Sequence, residues 1–274
     1  MDPIAFHLGP LTIHWYGIMI ALAFLVGMWT AGRRGLRQNI NPNHIQDAAI
    51  WLLVGGIVGA RVLHVVTYWE DFRGRGLLEL VKIQNGGLVF YGGAIGAALA
   101  GGLYVWRNKL PFFKLADALA PSIALGSVFG RIGCLMTGCC FGRVCPLPWA
   151  IQFPKGSLAW EEQHQHQLIG PDASTLPVHP TQLYDALANL LLYVGLAWLY
   201  RRKKFNGQVF VAWLIGYAIL RSTVELFRGD YGIHRVGALT PAQLVSAAIL
   251  AAGIGLLVWL PRRAKAPAAK ATAK

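Results

Sequence analysis

Charge is scarce in this chain: Asp, Glu, Lys and Arg make up 14% of its 274 residues, the acids number 12, and 55% of the residues are hydrophobic. An average globular chain is about a quarter charged, so a soluble core is a poor fit. No long internal repeat is present, which sets a repeat array aside. The N-terminus has neither a basic n-region nor an A-x-A site, and its first apolar run therefore reads as a retained helix, not a cleaved leader. Cysteines are few and confined between Cys134 and Cys145, without a C-x-x-C pair, which counts against a dithiol oxidoreductase.

What the chain does have is long apolar blocks. Runs of about 20 apolar residues, enough to cross a bilayer as a helix, fall near 12–32, 47–68, 88–107, 117–137, 181–200, 208–227 and 238–260. The expected fold is all-α: a polytopic helical membrane protein with about seven transmembrane helices. One transmembrane domain should cover 1–260 and include a small outer-face cap over 138–180, rich in Pro, Gln and His. The Ala/Lys-rich stretch 261–274 should be a disordered basic cytoplasmic tail.

The net charge of +13 speaks of topology. Arg33, Arg34 and Arg37, then Arg107, Lys109 and Lys114, then Arg201 to Lys204, then the basic residues after Pro261 all fall on one side of the seven spans. The other side holds the smaller set Arg73, Arg75, Lys82, Arg143, Lys155, Arg228 and Arg235. The positive-inside rule then puts the N-terminus outside and the C-terminus in the cytoplasm. Basic blocks distributed in this way leave no case for nucleic-acid binding.

Arg61, Arg131 and Arg221 lie inside the spans. A mid-membrane arginine costs about 2.5–3.5 kcal/mol on the insertion scale, so each must face a polar interior. Few acids lie at these depths, and the guanidinium fork matches phosphate oxygens two at a time, which points to a phospholipid-handling membrane enzyme. In Gly130-Arg131-Ile132-Gly133-Cys134 the glycines leave room for a ligand beside the arginine, and Gly138 and Gly142 are expected to end the helix by tolerating positive φ. The plain alternative is an arginine capping carbonyls at a helix end. Arg221, Glu225 and Arg228 share a helix face at i, i+4 and i+7 and could form an ion-pair relay or a purely structural bridge. Arg61, His64 and Tyr68 form a similar stripe, for which structure is the favoured role. The pairs Gly55/Gly59, Gly92/Gly96 and Gly126/Gly130 have the spacing of close helix packing in lipid.

Taken in order, His14-Trp15-Tyr16-Gly17, Gly86-Gly87-Leu88-Val89-Phe90-Tyr91-Gly92-Gly93, Asp117 with Ala120-Pro121, Gly130-Arg131-Ile132-Gly133, His179-Pro180-Thr181-Gln182-Leu183-Tyr184, and Arg221 with Glu225 resemble the phosphatidylglycerol–prolipoprotein diacylglyceryl transferases. The resemblance covers nearly the whole chain. It implies transfer of the diacylglyceryl group of phosphatidylglycerol to the lipobox cysteine of preprolipoproteins in the bacterial inner membrane, with no cofactor and no metal. It also implies Arg131, Arg221, Glu225, Tyr91 and Tyr16 as the catalytic set, and Arg131, Arg221, Gly92, Gly93, Gly142 and Arg61 as the substrate-binding set. Arg131 and Arg221 would hold the phosphate, and Glu225 would orient Arg221. The partners implied are phosphatidylglycerol, the lipobox signal peptide and membrane lipids.

Two departures bear on the chemistry. Tyr91 stands where better-known members have a histidine, and a phenol with an ordinary pKa near 10 is a poor base at neutral pH. Cys134 and Cys139 stand where an asparagine and a glutamate are common. Cys134, Cys139, Cys140 and Cys145 would face an oxidising compartment, so one or two disulfides are the first reading and zinc the second. A membrane thiol oxidoreductase acting on quinone and a catalytically inactive lipid-binding paralogue are the rival functions. His164 and His166 read as solvated loop residues, and His179 as one that orders its loop.

Overall fold

The computed structural model describes residues 3–9, 11–73, 76–81, 87–229 and 239–265. Seven long helices occupy the seven expected places: α1 (Trp15–Leu36), α2 (Pro42–Thr67), α5 (Phe90–Arg107), α6 (Phe112–Thr137), α8 (Thr181–Arg202), α9 (Gln208–Glu225) and α10 (Pro241–Lys265). The short helices α3 (Trp69–Phe72) and α4 (Leu77–Val81) follow α2, and α7 (Leu158–Gln165) lies between α6 and α8. Five of the long helices, α1, α2, α6, α8 and α10, are long and apolar enough to cross a membrane. In α5 the glycines dilute the apolar content, and in α9 Arg221 and Glu225 do so. Large apolar side chains stand exposed along the helices, among them Leu99, Trp106, Leu191 and Val66. So much apolar surface is at home in lipid, not in water.

Among the described residues, an N-terminal hairpin departs from the all-α expectation. Strands β1 (Ile4–Leu8) and β2 (Leu11–His14) pair antiparallel, so α1 begins at Trp15 and not at residue 12. At the other end α10 runs through Pro261 to Lys265. A proline forfeits one helical hydrogen bond, and the good helix formers Arg262 to Lys265 carry the helix another turn. Residues 261–265 of the expected tail are thus helical, and residues 266–274 lie outside the described residues, as does Gly86 of the glycine motif.

The chain divides into two compact units, residues 32–115 and residues 1–31 with 116–274. In the first, Asn41 caps α2 by accepting from Asn43 N–H, with Pro42 at the first helical position. Helices α2 and α5 then meet backbone to backbone: a Cβ on Gly59 would stand 2.8 Å from Gly96 Cα, and one on Gly55 would stand 2.6 Å from Gly96 O. The small-residue pairs of these two helices therefore do pack helices together, with Gly92 and Gly93 against Gly59 and Gly56.

In the second unit, Asp117 organises one end of the bundle. Its carboxylate, fully buried, accepts from the backbone N–H groups of Gly207, Val209 and Phe210 at 2.8–3.0 Å and from Lys203 Nζ at 2.7 Å. Helix α9 thus takes its N-cap from another helix, because its own cap position is Gly207 in the left-handed region, with no side chain to offer. Ala118, Ala120 and Ala124 of α6 pack with Leu196, Tyr200 and Val209 beside it. Thr30 of α1 and Ser122 of α6 join their hydroxyls at 2.9 Å. The segment 138–180 folds on a small core of its own, Phe141, Phe153, Ala159 and Val178. Its helix α7 starts where Ser157 Oγ accepts from Trp160 N–H. His164 therefore lies in a helix, stacked on Trp160 and part-buried, and is not a solvated loop residue.

Candidate functional site

Helix α6 ends at Thr137, and Gly138 follows at φ +74, the left-handed turn that stops a helix. Gly142 is needed for a different reason than the one expected. Its φ is not positive, but a Cβ there would stand 2.6 Å from His179 O and 2.8 Å from Phe227 O. That close approach lets Gly142 N–H donate to His179 O at 3.0 Å and Arg143 N–H donate to Phe227 O at 2.9 Å. His179 N–H returns a bond to Arg143 O, so His179 orders the loop. The loop after α6 is thereby sewn to the starts and ends of α8 and α9.

Charged side chains converge along this seam. Arg131 Nε lies 2.7 Å from Asp185 Oδ2, and Asn189 Nδ2 donates to Asp185 Oδ1 at 2.6 Å. Arg221 Nη1 lies 2.5 Å from Glu225 Oε2, and Arg228 Nη1 reaches the same oxygen at 3.8 Å. Helix α9 ends at Glu225, so Arg228 approaches from the following turn and not from the helix face. Asp185 lies within electrostatic reach of Arg131, Arg221 and Arg228 together, which makes one constellation of them. Three guanidinium groups and two carboxylates thus share one site mostly shielded from water. Guanidinium groups clustered in this way present donors that match phosphate oxygens.

Asp185 is the residue that the sequence reading missed. The signal was there: an acid inside an apolar span, four residues before Asn189, directly after the His179–Tyr184 motif. Tyr16 joins the constellation from α1. A Cβ on Gly133 would stand 3.0 Å from the Tyr16 ring, and Tyr16 feels the charges of Cys134, Cys139, Cys140 and Arg131. Gly130, by contrast, faces open space and Gly126 has only an ordinary contact with Ala23, so this glycine pair does not serve close helix packing.

All four cysteines are free, so the expected disulfides are not formed in this structure. Cys134, Cys139 and Cys140 bring their sulfur atoms within 4.8 Å of one another, whereas Cys145 is buried outside that group. Two bridges among the four are therefore not accommodated. The Cys140 thiol is held well below its ordinary range, first by hydrogen bonds from Cys134 and Cys139 and then by the charges of Arg228 and Arg131. Cys139, tied to Cys134 and Cys140, is pushed up. Beside this loop a groove of about 440 Å³ opens within the cap, lined by Cys139, Cys140, Leu158, Glu161, Glu162 and His166.

The remaining candidates belong to the unit 32–115. Arg61 is buried and donates through its whole fork: Nε to Leu80 O at 2.8 Å, Nη2 to Glu79 O at 2.7 Å and Nη1 to Gly87 O at 3.2 Å. It also lies over the Phe72 ring, and the His64 and Tyr68 rings meet tilted with centroids 4.8 Å apart, so the whole stripe builds local structure. Tyr91 stands in the first turn of α5, two-fifths exposed.

Fold and site together define a polytopic helical membrane protein with a largely buried cluster of arginines and carboxylates. The chain matches the sequence model of the prolipoprotein diacylglyceryl transferases over residues 3–259, and it belongs to that family. It is 36% identical to the phosphatidylglycerol–prolipoprotein diacylglyceryl transferase of Finegoldia magna over 94% of this chain and 95% of that one. The Synechococcus elongatus protein of the same name is 35% identical over 94% of this chain and 87% of its own length. That of Pseudoalteromonas translucida is 32% identical over 96% and 94%. The chain is thus a transferase, and the thiol oxidoreductase alternative falls away.

Proposed function

We propose that this protein transfers the diacylglyceryl group of phosphatidylglycerol to the thiol of the lipobox cysteine in preprolipoproteins, the first step of lipoprotein maturation. The observation that carries this reading is the constellation Arg131, Arg221 and Arg228 with Asp185 and Glu225, whose clustered guanidinium donors suit the oxygens of a phosphodiester. In the reaction the acceptor thiol loses its proton, the thiolate attacks the glyceryl carbon that bears the phosphate, and the carbon–oxygen bond breaks. The bonding pair leaves with the phosphate as glycerol phosphate.

Arg131 and Arg221 bind the phosphate and stabilise the charge that grows on the leaving oxygen. Asp185 and Glu225 are positioning residues, each holding one guanidinium in place by a short ion pair. Tyr16 donates a hydrogen bond at headgroup level, and Gly142 shapes the site by letting the loop close on His179 and Phe227. Tyr91, at the position of the family's histidine, is the residue to test for a part in the proton step. The loop after α6 faces the outside, the N-terminus lies outside and the C-terminus lies in the cytoplasm of the bacterial inner membrane, as the basic blocks support.

The decisive experiment supplies purified protein with phosphatidylglycerol and a lipobox peptide and measures released glycerol phosphate and peptide mass. Release coupled to a thioether-linked diacylglyceryl peptide is expected. Lipid binding without release would instead identify an inactive lipid-binding relative.

A further inference from the structure

The cysteine trio is not explained by phosphate binding. Three sulfur atoms converge within 4.8 Å of one another on a loop whose geometry is imposed from outside. Cys140 sits at φ +59, left-handed for a non-glycine residue, two residues after Gly138 at φ +74, and this double turn brings the two adjacent thiols back towards Cys134. The loop is clamped by two buried side chains of α8: Thr181 Oγ1 donates to Cys140 O and Gln182 Nε2 donates to Cys139 O, each at 2.7 Å. Cys139 N–H closes the turn on Cys134 O at 3.1 Å.

A disulfide needs two sulfurs and would leave the third without a role. Three thiolates around one point are instead the protein half of a tetrahedral zinc site. With Zn–S bonds of about 2.3 Å, tetrahedral geometry separates ligand sulfurs by roughly 3.8 Å, so each sulfur here would have to move by no more than about an ångström. Zinc with three thiolates carries one negative charge, and Arg131 and Arg228 are the cations within reach of these sulfurs. The groove lined by Glu161, Glu162 and His166 gives ion and ligand a way in.

We propose that Cys134, Cys139 and Cys140 bind one zinc ion whose fourth position stays open, and that this position receives the acceptor cysteine as a zinc-bound thiolate. The second half rests on the transferase reading. A thiol that coordinates zinc gives up its proton, here to water in the groove, so the acceptor is ionised without a strong protein base. Its sulfur then forms the bond to the glyceryl carbon as the carbon–oxygen bond breaks, and the neutral thioether leaves the metal.

The test uses the full chain, purified in detergent under reducing conditions. Metal analysis should find about one zinc per chain in the wild type and in Cys145→Ser, and under about a tenth of that in Cys134→Ser and Cys140→Ser, with unchanged melting before metal addition in all three. Replacement with Co²⁺ should give thiolate-to-metal charge-transfer bands, and a lipobox peptide should shift the visible bands only when its cysteine is present, not with serine in its place. A reduced wild type that binds neither Zn²⁺ nor Co²⁺, or that binds only Cu⁺, overturns the site. Bound metal whose spectrum ignores the peptide thiol overturns the open position. A spectrum that responds to the thiol while no glycerol phosphate is ever released would leave the metal site standing and sink the transferase reading instead.

Discussion

Each arginine in this protein is defined by what it donates to. Arg61 gives its fork to three backbone carbonyls, whereas Arg131 and Arg221 each face one carboxylate and keep donors for a ligand. Arg131→Lys and Arg221→Lys should therefore each lower the transfer rate by at least about 10²-fold, since one ammonium cannot reproduce a bidentate grip on phosphate. The double variant should lose less than the sum of the two single losses in free energy, because both act on one ligand. Arg61→Lys should instead lower the melting temperature in detergent and leave turnover largely intact. Wild-type turnover in either Arg131→Lys or Arg221→Lys would remove the clamp. Tyr91→Phe addresses the proton: a Tyr91 that takes part in its transfer should be needed for rate and not for lipid binding, and Tyr91→His should stay active. Full activity of Tyr91→Phe would exclude it, and would fit an acceptor thiol ionised by metal.

At the scale of elements, α9 depends on a cap that it does not carry. Three of its first N–H groups and Lys203 all converge on Asp117. Removing one partner of a buried ion pair strands the other, at a cost of about 3–5 kcal/mol, and the lost cap adds about 1 kcal/mol. Asp117→Ala should accordingly destabilise the protein far more than Asp172→Ala, whose partner Lys155 is exposed with it on the cap. Thermal unfolding followed by intrinsic tryptophan fluorescence measures the difference, and equal melting would disprove the capping role. Because α9 also carries Arg221 and Glu225, Asp117→Ala should blunt activity without touching the phosphate site.

For the whole molecule the sharpest stability test lies where two backbones cross. Gly96→Ala would drive a methyl group into Gly55 O and Gly59 Cα across the α2–α5 contact, and such overpacking costs about 1–3 kcal/mol. Gly102→Ala, on the same helix with open space around it, should be neutral or stabilising by up to about 1 kcal/mol. Opposite shifts in melting temperature would verify the crossing; matching shifts would contradict it.

The sequence by itself determined which stretches are helices in lipid, because a long apolar run free of charge has no other stable form across a bilayer, and all seven runs became helices. It also marked the arginines, since a buried cation in such a run demands a partner. The partners were decided only by the tertiary structure. Asp185 meets Arg131 across two helices that are 54 residues apart in the chain, and no local period records that pairing. The hairpin before α1 and helix α7 in the cap escaped notice because short elements carry weak periodicity. Gly142 looked like a turn and proved to be a site of close approach, a distinction that depends on His179 and Phe227 from distant segments. The cysteines show the same limit: their spacing suggested pairing, but the turn after α6 gathers three and leaves Cys145 aside, because backbone direction, not sequence distance, decides which sulfurs meet.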